Sequence, residues 1–226
     1  MKCKMAVDGR DHMPRKAPQS GNAMKICGID PGLSGALAVI GTPGPLINDY
    51  LVMPTVGNVL DLGVIKRFLQ AIKPDIVALE RGQAMPKQGV SSAFKFGRVC
   101  GAVEGILVGL ELPYKLVTPR NWQKWAHMGI EKSLGPKQKS LIAASRLYPG
   151  RTFLATSRCR KPHEGIVDAL LIARWVLETF GTKELQAAAW VDEQSIVDTD
   201  ISAKLATGKW PTKVNIHSGF RMDDLE

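Results

Sequence analysis

The chain has little cysteine: Cys3, Cys27, Cys100 and Cys159 are the only four in 226 residues, and no two stand at metal-ligand spacing. That excludes a disulfide framework and a zinc ribbon, and free thiols fit a reducing compartment. No apolar run reaches the ~20 residues that a membrane-spanning helix needs. The first residues lack the apolar core of a secretory signal, and no internal repeat is visible. Acid is also short, with 21 Asp and Glu against 30 Lys and Arg, for a net charge of +9. Such an excess of base points to an anionic partner, although a merely soluble basic protein has it too. The imbalance is uneven. Residues 181–226 hold five Lys and Arg against eight Asp and Glu, which leaves +12 on the 180 residues before them.

What is present begins with a leader. Residues 1–23 are polar, punctuated by Pro and Gly, and aperiodic, which predicts a disordered segment. Met24 is an alternative start. The leader is basic, but Asp8, Asp11 and its scarcity of Ser argue against a transit peptide. Residues 24–180 then read as one domain, and residues 181–226 as an extension of weak periodicity. A hydrophobic fraction of 45% suffices for a sizeable core.

The domain is organised around its first strand. An apolar run from Met24 to Ile29 ends on Asp30, turns through Pro31 and Gly32, and returns as Ala36 to Ile40. Asp30 is either the usual first residue of a turn or an acid held at a sheet rim. A third strand completes residues 24–53. Val59–Ile72 is expected to be an amphipathic helix, stopped by Lys73-Pro74. Asp75–Glu80 is a short buried strand, again ending on a carboxylate. Arg81–Val90 reads as a loop, Ser91–Leu110 as a helix, Tyr114–Val117 as a strand, and Thr118-Pro119 as the start of a helix containing Trp122 and Trp125. Pro136–Leu147 is a further helix, residues 150–161 a basic loop, and Pro162 to about Thr179 a long helix. Three strands followed by alternating helix and strand predict an α/β fold with a mixed sheet flanked by helices.

Three separated acidic positions carry the chemistry. Asp30 and Glu80 end strands, while Glu164 and Asp168, four apart, share one face at the start of the last helix. Were these strand ends adjacent and the helix laid across them, four carboxylates would meet. Like charges so close push their pKa values apart unless cations intervene. Hard oxygen donors suit Mg²⁺, with Mn²⁺ as a substitute, and two such ions can hydrolyse a phosphodiester. Each acid also has a plain structural role open to it: Glu80 as a cap or partner of Arg81, Glu164 as a first-turn acid favoured by the helix dipole.

The stretches GIDPGLSGALAVI (28–40), IVALERGQAMPKQGVSSAFKFGR (76–98), LPYKLVTPRNWQKW (112–125) and HEGIVDALLIARW (163–175) together resemble the RuvC-type Holliday junction resolvases, particularly their compact phage and prophage branch. The resemblance covers roughly residues 24–180. It implies an RNase H-like fold, a homodimer, Mg²⁺ dependence, probable use of two ions per subunit, and paired nicks across a four-way DNA junction, with no nucleotide cofactor and no membrane. It implies a location in the cytoplasm of a bacterial or phage-infected cell, with organelle targeting left open.

By position, Asp30, Glu80 and Asp168 match the family's acids. The remaining ligand departs from the pattern: Gly165 stands three before the last acid, leaving Glu164 or His163. Lys137 matches the basic side chain expected near the scissile phosphate, with Lys139 as the alternative and Lys124 off register. Arg81, Lys87, Lys95, Arg98, Lys139, Arg158, Arg160 and Lys161 are candidate phosphate contacts. Met85, Phe94 and Phe96 are candidates to wedge or stack at an unpaired base, though Phe94 and Phe96, two apart, cannot share a helix face. Gly97, Gly101, Gly105 and Gly109 recur every four residues and form one helical stripe, open either to a second subunit or to another element of the same chain.

Three rivals remain. Sugar kinases and actin-like ATPases share a GIDPG-like turn but need a second lobe and a second phosphate loop. An RNase H-like ribonuclease, or another branched-DNA nuclease, shares the first strand. A catalytically inactive nucleic-acid-binding module would use the acids only structurally.

Overall fold

The structure is a computed structural model that describes residues 24–42, 46–82 and 89–195. Its main sheet is built from β1 (Lys25–Asp30), β2 (Ala36–Gly41), β3 (Leu46–Val52), β6 (Ile76–Glu80) and β7 (Tyr114–Val117), in the order β3-β2-β1-β6-β7. β1, β2 and β3 pair antiparallel, and β6 and β7 add parallel on the other side of β1. A small hairpin of β4 (Thr55–Val56) and β5 (Val59–Leu60) stands apart. The helices are α1 (Leu62–Ile72), α2 (Val90–Gly109), α3 (Pro119–Ala126), α4 (Pro136–Leu147) and α5 (Glu164–Ser195). Three antiparallel strands followed by two parallel ones, flanked by helices, is the RNase H-like arrangement that the sequence predicts.

Strand period divides the core in two. Ile26, Ala36, Ala38, Ile40, Ile76 and Ala78 face one layer, packed with Trp122, Ala143, Ala144 and the apolar stripe of α5. Their alternate neighbours Cys27, Ile29, Leu37, Val39, Val77 and Leu79 face the other, against Ile65 and Leu69 of α1 and Val103 and Leu107 of α2. α5 lies almost in contact with β1. A Cβ on Gly28 would come within 2.0 Å of the Ala169 carbonyl oxygen, so only glycine permits that approach.

Two boundaries differ from expectation. Val59 and Leu60 belong to the β4–β5 hairpin, not to α1, because Asp61 caps the helix: its Oδ1 accepts the Val64 N–H at 3.1 Å. The last expected helix breaks at Gly181 (φ 64°, ψ 165°), close to its expected end near Thr179, and what the expectation left out is a second helical stretch that continues to Ser195. The described residues up to Leu185 belong to one compact unit.

Candidate functional site

Asp30 and Glu80 end neighbouring parallel strands, since Ile29 pairs with Leu79. Both continue the even-numbered parity of their strands, which directs them to the layer that holds α3, α4 and α5. The turn after Asp30 is tied down: Asp30 Oδ1 accepts the Gly32 N–H at 3.2 Å, Gly35 N–H donates to the Gly32 carbonyl at 2.8 Å, and Met53 N–H donates to the Gly35 carbonyl at 3.0 Å. The two glycines of this turn are not at positive φ. Gly35 is required by space, because a Cβ there would lie 2.1 Å from the Asp30 carbonyl oxygen.

The third side is α5. A Cβ on Gly165 would lie 2.5 Å from the Gly35 backbone, so the start of α5 sits directly on the Asp30 turn. No side chain fits at 165, so the position three before Asp168 supplies no side chain to the cluster. One helical turn further on, Asp168 reaches the two strand acids closely enough to be coupled to them electrostatically.

Burial acts on all three, and repulsion from neighbouring acids adds to it at Glu80 and Asp168. Burial pushes Glu80 up to about 7; the Trp122 hydrogen bond opposes this, and Asp30 and Asp168 add to it. Burial likewise pushes Asp168 up to about 7, with Asp30 adding, the Ser140 hydroxyl opposing, Glu164 adding and Lys137 opposing. Asp30 is raised by burial against the Gly32 N–H. Cys100 stands nearby, held as a thiol by burial and by the charges of Glu80 and Asp30.

Glu164 is placed differently. It is exposed and turned to Lys137, whose Nζ lies 2.5 Å from its Oε2. Lys137 is therefore at the rim of the acids, raised first by its bond to Glu164 and also by Asp168. The alternative base, Lys139, donates to the Lys132 carbonyl at 3.0 Å. His163 immediately precedes α5. Its Nδ1 is buried without a hydrogen-bond partner, and burial lowers its pKa, which favours the neutral ring. Among the described residues, no three His, Cys, Asp or Glu side chains stand close enough together to hold one ion as they lie. The donor chemistry nevertheless fits a hard divalent cation: three coupled carboxylates and, at the flank, Glu164 and an unpartnered imidazole nitrogen.

Of the candidate nucleic-acid contacts, Lys95 and Arg98 are exposed on α2, and Arg158, Arg160 and Lys161 are exposed before α5. Arg81 is half-buried at the end of β6, its N–H donating to the Val117 carbonyl at 2.8 Å. Met85 and Lys87 lie outside the described residues. Phe94 is 70% exposed, whereas Phe96 lies beside Gly82, so the two aromatics do point apart. Gly97, Gly101, Gly105 and Gly109 are exposed, and a Cβ on each would meet nothing within 4 Å. Lys124 is exposed in the last turn of α3.

Sequence reasoning missed three residues. Trp122 is core, as expected, but its Nε1–H also donates to Glu80 Oε1 at 2.7 Å. Ser140 is buried near enough to Asp168 to hold that acid's pKa down, and His127 Nε2 lies 3.1 Å from Ser140 Oγ. Ser140 sits in GPKQKS (135–140), where only the lysines attracted notice. A hydroxyl next to two lysines carries no signal of its own.

Fold and site together define an RNase H-like α/β domain with an acidic cluster at the edge of its central strands. No family model matches the chain, and no curated protein matches it. Among solved structures it is similar to a Thermus thermophilus RuvC in complex with a Holliday junction substrate, at 20% identity and a TM-score of 0.48, covering 70% of this chain and 97% of that one. It is also similar to a second T. thermophilus RuvC structure, at 22% identity and a TM-score of 0.48, covering 69% and 96%.

Proposed function

We propose that this protein is a structure-selective endonuclease that resolves four-way DNA junctions by metal-dependent phosphodiester hydrolysis, acting as a homodimer. The observation that carries the reading is the electrostatic coupling of Asp30, Glu80 and Asp168, from two adjacent strand ends and one crossing helix, in a domain of strongly basic charge. Acids gathered where the surroundings are basic suit a cation that a polyanionic substrate also needs. The resemblance of the motifs to those of the resolvases supports a four-way junction as that substrate.

Asp30, Glu80 and Asp168 would hold Mg²⁺ or Mn²⁺, with Glu164 or His163 completing the set. Bound there, the ion would make a water nucleophilic near neutral pH and stabilise the leaving oxygen. The chain's own residues do the rest. The Asp30 turn and the β6 terminus fix two carboxylates on rigid strands, so little reorganisation is needed. Lys137, at the rim, is placed to meet a phosphate once Glu164 turns inward. Lys95, Arg98, Arg158, Arg160 and Lys161 supply sequence-independent contacts to the backbone.

The test is cleavage of four-way junction, duplex and RNA–DNA hybrid with and without Mg²⁺. Asp30→Asn, Glu80→Gln and Asp168→Asn are each expected to lower junction cleavage by a factor on the order of 10³ or more while keeping junction binding. Any of the three cutting at the wild-type rate would show the acids misassigned. Preference for the hybrid would favour a ribonuclease, and binding without cleavage of any substrate an inactive module.

A further inference from the structure

Glu80 and Asp168 come from different elements, yet both are gripped by the same pair of helices. We propose that Trp122, His127 and Ser140 are positioning residues, an arc across α3 and α4 that sets the orientation and separation of these two carboxylates. The proposal deepens the nuclease reading and rests on it.

The arc can be followed atom by atom. Trp122 is only 1% exposed, and its indole N–H, a donor and nothing else, is spent on Glu80 Oε1 at 2.7 Å. One oxygen of the carboxylate is thereby committed and its plane fixed. The Trp122 ring meets the His127 ring edge-on, with centroids 6.3 Å apart and planes at 73°. His127 Nε2 lies 3.1 Å from Ser140 Oγ, and Ser140 is near enough to Asp168 to hold that acid's pKa down. When Asp168 is ionised it can only accept, so the single Ser140 proton is directed to the carboxylate and Ser140 Oγ accepts from His127 Nε2–H. The histidine tautomer follows from this chain of donors. The arc therefore runs from an acid on β6, through the end of α3, to the middle of α4, and back to an acid on α5.

Packing alone does not call for these side chains. Ser140 is the sole buried polar side chain outside the acid cluster among the described residues, at 4% exposure, in a layer otherwise filled by Ala143, Ala144 and Tyr148. An apolar residue would fill its place without a hydroxyl to satisfy. A buried polar group is favourable only when its bonds are made, and here the Trp122 bond ends on Glu80 and the Ser140 hydroxyl stands between His127 and Asp168. Partners of this kind orient ligating carboxylates and tune how tightly they hold an ion.

The experiment uses the full-length chain and five variants: Trp122→Phe, Ser140→Ala, His127→Phe, His127→Gln and, as a reference, Asp30→Asn. Mn²⁺ binding to the DNA-free protein is measured by calorimetry, and kcat and KM are measured for a four-way junction. Circular dichroism establishes that each variant is folded. Trp122→Phe and Ser140→Ala are expected to weaken Mn²⁺ binding and lower kcat by about 10–100-fold, with KM for the junction unchanged. His127→Gln, which keeps an N–H for Ser140, is expected to stay within about threefold of wild type, whereas His127→Phe follows Ser140→Ala. Wild-type Mn²⁺ affinity in folded Trp122→Phe and Ser140→Ala overturns the proposal alone, as does a loss confined to KM. Should Trp122→Phe fail to fold, the Ser140 and His127 variants decide by the same readouts. A wild type that binds Mn²⁺ no better than Asp30→Asn overturns the nuclease reading, and the proposal with it.

Discussion

Gly165 and the carboxylates around it carry most of the site's logic. Because the Gly35 backbone occupies the space where a residue-165 side chain would stand, position 165 adds nothing to the flank of the cluster, and Glu164 and His163 are the polar side chains one and two residues before it. The acids themselves store repulsion. Glu80 and Asp168 stay protonated up to about pH 7 in the folded state, whereas unfolded carboxylates lose their protons well below that. Between the ordinary carboxylate range and about 7 the folded chain therefore binds more protons than the unfolded one, and stability falls as pH rises across this window. Metal-free protein is expected to melt at a lower temperature at pH 8 than at pH 5.5, and Asp168→Asn to flatten that dependence. Added Mn²⁺ at pH 8 should recover stability by binding only the folded state. Melting curves against pH, with and without Mn²⁺, check this; a metal-free melting temperature that rises toward pH 8 would contradict it.

At the scale of elements, α2 is the unusual one. Four interior glycines cost roughly 1 kcal/mol each relative to Ala, and a Cβ on each would meet nothing within 4 Å in the chain's own fold. The choice left open by the sequence, an intramolecular neighbour or a second subunit, thus loses its first branch among the described residues. A second copy laid along this stripe would give the close backbone approach that repays the glycines, and a two-fold axis would present two acid sites to two strands. Gly101→Leu with Gly105→Leu is expected to shift a dimer to monomer in sedimentation at micromolar concentration and to abolish paired nicking of a cruciform plasmid. A dimer that persists, or a monomeric wild type that still makes coordinated nicks, places the subunit contact elsewhere. α5 is unusual in another way: it packs on β1 so tightly that Gly28, Gly35 and Gly165 all mark backbone approach, and that contact brings Asp168 over the strand ends.

Over the whole molecule, the distribution of charge sets what the proposed function demands of binding. The +12 of residues 1–180 belongs to the same part of the chain as the acids, and the acidic extension does not. Junction affinity is expected to fall steeply with salt, each neutralised phosphate adding about 0.9 to the slope of log K against log salt. Neutralising Arg158, Arg160 and Lys161 together should flatten that slope by about 2–3, read from binding isotherms at several salt concentrations. An unchanged slope would put the DNA on another face.

Much of this was legible in the residues. Hydrophobic alternation and turn chemistry located the strands, and strand parity alone places Asp30 and Glu80 on one face once their strands are neighbours. The same local signals carry the mixed-sheet fold, because strands that pair through short connections leave few topologies open. They misplaced the start of α1, where Asp61 outweighed an apolar spacing that continued through Leu60, and they missed the second helical stretch beyond the Gly181 break. Contacts between residues far apart in the chain had no local signal. The Trp122 bond to Glu80 spans 42 positions, and Ser140 and Asp168, which influence each other, come from two different helices. Only the packing of α3 and α4 against the sheet decides which buried donor meets which acid, and only the clasp of Gly35 and Gly165 leaves no room for a side chain at position 165.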